Sequence, residues 1–165
     1  MHTDRSARAR RVAVTDPIVT AGRPYQYADA FELSVPEPDP TWPEEWMRAG
    51  MDSAPRWVDR VVSLLGIAGP VRSSTEGLGG FRIVESTADV IHLAVDVRLI
   101  RGVLVGRRIG PNGRRLTTAL WFGRPVLARA LWALIAPLHR RMARHILSSA
   151  ILAPAGHGAD GGSGR

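Results

Sequence analysis

Residues 125–152, PVLARALWALIAPLHRRMARHILSSAIL, form a run in which apolar side chains recur with helical rather than strand spacing. At about 1.5 Å per residue, such a helix would cross a whole small domain. Projection at about 100° per residue gathers Leu127, Leu131, Leu134, Ile135, Leu138, Met142 and Ile146 into one stripe, with Arg129, Arg140 and Arg144 opposite. Arg129 and Pro137 keep the apolar run short of the roughly 18 residues of a membrane span. Pro137 lacks an amide hydrogen, which predicts a kink near Ala133 to Ala136. An amphipathic rod of this length needs a sheet to lie on.

The preceding segments supply one. Phe31, Leu33 and Val35 alternate with Ala30, Glu32 and Ser34, the period of a half-buried strand that Pro36, Pro38 and Pro40 end. A short helix follows, with Thr41 as its cap, Pro43 in its first turn and Glu44 and Glu45 at its positive end. A second helix is expected from Pro55, with Trp57, Val61, Leu64 and Leu65 on one face. Gly77, Gly79 and Gly80 mark a loop before a strand from Phe81 to Glu85. From Val90 to Leu99, Ile91, Leu93, Val95, Val97 and Leu99 share one face and His92, Asp96 and Arg98 the other. Gly102 or Gly106 reads as a bend or turn, and Pro111-Asn112-Gly113 as a hairpin turn into a strand from Leu116 to Phe122. The expected class is therefore α+β, an antiparallel sheet with helices on one face.

The domain organisation expected is a flexible Arg-rich arm over 1–24, a folded domain over 25–152 and a disordered Gly/Ala tail over 153–165. Arg10-Arg11 lacks the apolar stretch of an export signal behind it, so the expected location is cytoplasmic. The net charge of +7 rests on arginine alone, because none of the 22 basic residues is lysine. That excludes Schiff-base and P-loop chemistry, and the absence of cysteine excludes thiolate nucleophiles and Cys-ligated zinc. The charge is uneven: residues 107–165 carry ten Arg against one acid, Asp160. No alternation of basic and aromatic residues and no finger spacing points to nucleic acid. No nucleophile elbow and no closely spaced metal-ligand set appears, so neither a metal nor an organic cofactor is expected.

The order of elements resembles the helix-grip fold of the START-like (SRPBCC) superfamily, which includes polyketide cyclases, plant hormone receptors and lipid-transfer proteins. More closely, the chain is similar to the bacterial family called domain of unknown function 2867. The likeness is carried by Tyr27-Ala28-Asp29-Ala30-Phe31, Ala54-Pro55-Arg56-Trp57-Val58, Gly80-Phe81-Arg82-Ile83-Val84-Glu85, Thr117-Thr118 and Pro137-Leu138-His139-Arg140, over roughly residues 25–150.

The resemblance implies a curved sheet wrapped around the C-terminal helix, with two short helices after the first strand and a cavity between sheet and helix. Such a cavity suits a hydrophobic or aromatic small molecule. Candidate ligand-binding residues are Trp46, Trp57, Leu93, Val97, Thr118, Leu120, Trp121 and Leu138, each of which has core packing as its plainer role. If the protein catalyses, it is expected to act as a polyketide cyclase does, with His139 or Asp96 moving a proton. The competing expectation is an interaction protein whose Arg-rich C-terminal helix docks on acidic membrane or on a protein partner.

Overall fold

The computed structural model describes residues 8–55, 58, 60, 77–97 and 100–149. Its elements are β1 (Arg10–Val12), α1 (Pro17–Thr20), β2 (Tyr27–Ser34), α2 (Pro43–Asp52), β3 (Gly77–Leu78), β4 (Phe81–Ser86), β5 (Val90–Asp96), β6 (Ile100–Ile109), β7 (Gly113–Phe122) and α3 (Pro125–Ser149). The strands form one curved antiparallel sheet in the order β1-β2-β7-β6-β5-β4-β3, and α2 and α3 lie against its inner face. The α+β class is as expected. No described helix is long and apolar enough to cross a membrane.

Three inward-facing rows set the interior. Tyr27, Leu120, Gly102 and Val95 stand in register, then Asp29, Thr118, Leu104 and Leu93, then Phe31, Leu116, Gly106 and Ile91. Gly106 leaves room for α2: a Cβ there would meet Met47 Sδ at 2.5 Å and Trp46 Cη2 at 3.0 Å. Gly102 likewise lets Val95 and Leu120 close over the sheet. The two glycines that suggest turns are therefore strand residues, chosen for what packs above them. Strand β5 ends at Asp96 rather than Leu99, and Val97 and Ile100 exchange backbone hydrogen bonds where β6 starts, while Arg98 and Leu99 lie outside the described residues.

Other expectations are corrected in detail. Residues 8–24, expected as a flexible arm, instead pair β1 along β2 and seat α1 on the outer face of the sheet. There Val19 is buried with Val90, Val105 and Ala119, and the Asp16 carboxylate accepts the Ile18 amide while pairing with Arg107 at 2.7 Å. A three-residue strand and a one-turn helix are too short to show periodicity. His92, expected on a wet face, is half-buried there. The N-cap of α2 is Trp42, whose amide donates to Glu45, while the Thr41 hydroxyl bonds Asp39 and Arg114. The helix expected from Pro55 and the tail over 153–165 lie outside the described residues, apart from Pro55 and positions 58 and 60.

Of the predicted stripe on α3, Ile135, Leu138, Met142 and Ile146 do face the sheet, but the buried face extends to one side of it. Trp132, Ala136, Ala143, Ile146 and Leu147 are buried, whereas Leu134 is 79% exposed. Small residues sit at the closest approach. Gly50 of α2 faces Ile146 so closely that a Cβ on it would lie 2.5 Å from the Ile146 Cα. At the far end, Arg114 is 3% exposed, holds Asp39 in an ion pair and donates to the Leu147 carbonyl near the end of α3.

Candidate functional site

Between the middle of the sheet and α3 lies an apolar cavity of about 160 Å³. Leu104, Leu116 and Leu120 from the sheet, Met51 from α2 and Ile135, Leu138 and Met142 from α3 supply apolar walls. Among the lining residues, Thr118 of β7 and Trp132 and His139 of α3 carry polar side-chain atoms. The Thr118 hydroxyl and the Trp132 indole N–H are both buried and have no partner among the described residues. A buried polar group without a hydrogen bond costs roughly 1–3 kcal/mol, so these two are the groups that a guest would satisfy.

His139 is held from behind. Its Nε2 lies 3.3 Å from Oδ1 of Asp29, whose side chain is wholly enclosed, and the Tyr27 hydroxyl donates to the other carboxylate oxygen at 2.5 Å. The Trp132 ring stands edge-on to Tyr27 at 4.9 Å and 5.1 Å from the imidazole, so both rings of the dyad's surroundings are fixed by packing. Burial raises the Asp29 carboxyl, but the His139 and Tyr27 hydrogen bonds and the Arg11 charge outweigh it, leaving Asp29 below the usual carboxylate range. Burial and the Asp29 bond push the Tyr27 phenol up, against an opposing pull from Arg140, so Tyr27 stays a donor at neutral pH.

The sequence candidates divide between places. Thr118, Leu120, Leu138 and His139 line the cavity. Trp46 and Leu93 are buried in the neighbouring core beside Phe31 and Leu116, outside the cavity wall. Asp96, Val97 and Trp121 line a different and more polar groove of about 590 Å³ at the β5–β6 turn, where Asp96 is paired with Arg101 at 2.7 Å in solvent. Asp96 is thus not the carboxylate of His139. Trp121 projects to the outer face and donates its indole N–H to the Pro24 carbonyl at 2.9 Å. Trp57 lies outside the described residues.

Asp29 is the residue the sequence reading missed, although a signal was present. It shares strand parity with the apolar Phe31 and Leu33, and a carboxylate on that face is either paired or functional. Its cross-strand neighbour on β7 is Thr118, so the sheet register itself places acid and hydroxyl side by side. Among the described residues, no three His, Asp or Glu side chains converge as a metal-binding set. No protein-family model, no curated protein and no solved structure matches the chain.

Proposed function

We propose that this is a helix-grip protein of the START-like kind that holds a small hydrophobic or aromatic molecule between the sheet and α3. The observation that carries the reading is an apolar cavity lined by two residues with unpartnered hydrogen-bonding groups, Thr118 from the sheet and Trp132 from α3. Its volume supports a guest of one ring, since a cavity of about 150 Å³ accommodates benzene. A fused polyketide needs several times that space, so the cyclase-like version of the reading narrows to small substrates.

Phenol and cyclohexanone match this site in size and offer an oxygen to Thr118 and Trp132. Each is expected to raise the melting temperature, because a ligand at 100 times its Kd stabilises by about 2.7 kcal/mol. Leu138→Trp, which places an indole in the same space, should abolish the shift. Absence of any shift with both compounds would reject the proposal.

A second reading is favoured by the outward face of α3. Val126 and Leu134 are 84% and 79% exposed there, beside exposed Arg129, Arg141 and Arg144, and no acidic residue occurs from 107 to 149. Such a face suits contact with an anionic membrane surface, with the cavity lying just beneath it.

A further inference from the structure

Mere binding leaves Asp29 without a task. Enclosing a carboxylate is unfavourable, and apolar residues would join sheet to helix more simply. Here the acid is instead held by Tyr27 and turned on the Nε2 of a histidine that lines the cavity. That contact leaves Nδ1 as the nitrogen able to take a proton, and it makes no hydrogen bond among the described residues. Thr118 of β7 and Trp132 of α3, which both line the cavity, each hold a donor hydrogen in reserve.

We propose that the cavity is a site of proton transfer at carbon: His139, oriented by Asp29, takes the α-proton of a small ketone whose oxygen is held by Thr118 and Trp132. This rests on the ligand-binding reading above. In the step, the α C–H bond breaks and its proton passes to His139 Nδ1. The electron pair forms the enolate C=C bond, and the charge collects on the oxygen facing the two donors. Return of the proton to the same carbon restores the ketone. In a β,γ-unsaturated ketone, return to the γ-carbon shifts the double bond. Neither outcome consumes an oxidant, a reductant or a co-substrate. The apolar walls favour this chemistry over hydrolysis, since they admit little water and Thr118 is the sole hydroxyl among the described lining residues.

The test is deuterium incorporation into cyclohexanone in heavy water, followed by proton NMR alongside the melting-temperature shift with the same compound. The full chain should accelerate exchange by about 100-fold or more over buffer. His139→Gln should return it to the buffer rate with the thermal shift retained, and Thr118→Val should slow it about tenfold and shrink the thermal shift, since it removes one of the two groups that hold the oxygen.

Asp29 is a positioning residue, and its signature is a loss of rate without a loss of binding. Asp29→Asn should slow exchange about tenfold while the thermal shift with cyclohexanone is retained. A purely structural acid would alter stability and leave the exchange rate of the folded protein in place. Should Asp29→Asn not fold, the His139 and Thr118 variants still decide the matter. A cyclohexanone-bound protein that exchanges no faster than buffer, or a His139→Gln variant as fast as the parent, overturns the inference and leaves the binding reading intact. Absence of a thermal shift overturns both.

Discussion

Asp29 stays ionised inside the protein because two donors, the Tyr27 hydroxyl and the His139 ring, meet its two oxygens. Its depressed pKa makes it a contributor to stability that depends on pH. An unfolded Asp titrates at about 3.9, and the native carboxyl titrates lower, so its contribution is complete above that value and fades as pH falls through the native one. Asp29→Asn is expected to lose about 3 kcal/mol at neutral pH, the scale for breaking an enclosed pair. The gap to the parent should narrow in acid, as pH falls below the unfolded value of about 3.9 and through the lower native one, where the parent also loses its charge. Urea unfolding at both pH values checks this. The residue was legible only halfway: parity with Phe31 and Leu33 places it on the inner face, but its partner lies 110 positions on in the chain, and spacing alone could not join them.

The packing of α2 on α3 shows what pattern reading captures and where it stops. Alternation along Ile91, Leu93 and Val95 identified the inner face of β5, because a strand buried on one side admits no other arrangement. The stripe on α3 caught Ile135, Leu138, Met142 and Ile146 but passed over Ala136 and Ala143, because the projection weights large side chains, whereas the closest contacts use those alanines and the bare backbone of Gly50. β6 escaped for a related reason: Gly102 and Gly106 carry turn-like identities, yet they serve as recesses for Val95, Leu120, Trp46 and Met47. Gly50→Ala separates these effects. Alanine favours a helix interior by about 1 kcal/mol over glycine, but the new methyl would meet the Ile146 Cα, which is backbone and yields poorly. A net destabilisation of about 2 kcal/mol is expected in chemical denaturation. A stabilised variant would show that the two helices are less tightly seated.

At the scale of the whole molecule, charge and cavity share one side. The basic excess of residues 107–165 was plain in the sequence, but which arginines face solvent was not. Arg114 is enclosed with Asp39, and Arg107 and Arg115 pair with Asp16 and Glu32, whereas Arg129, Arg141 and Arg144 are exposed. The second functional reading predicts that the protein sediments with phosphatidylglycerol vesicles at low salt and is released as salt rises. Arg129→Gln, Arg141→Gln and Arg144→Gln together should reduce that association at least tenfold, whereas phosphatidylcholine vesicles should not retain the protein. Retention by the triple variant would reject the reading.

The outermost strands carry one more consequence. β1 spans three residues and β3 two, the register slips between Ile83 and Glu85 along β4, and Arg82 and Glu85 stand exposed there. An incoming chain seeking to extend the ladder would find few free amides in line and charges beside them. Among the described residues, the rims of the sheet thus offer a poor template for fibre growth, and the molecule's encounters with others are steered to the helical side.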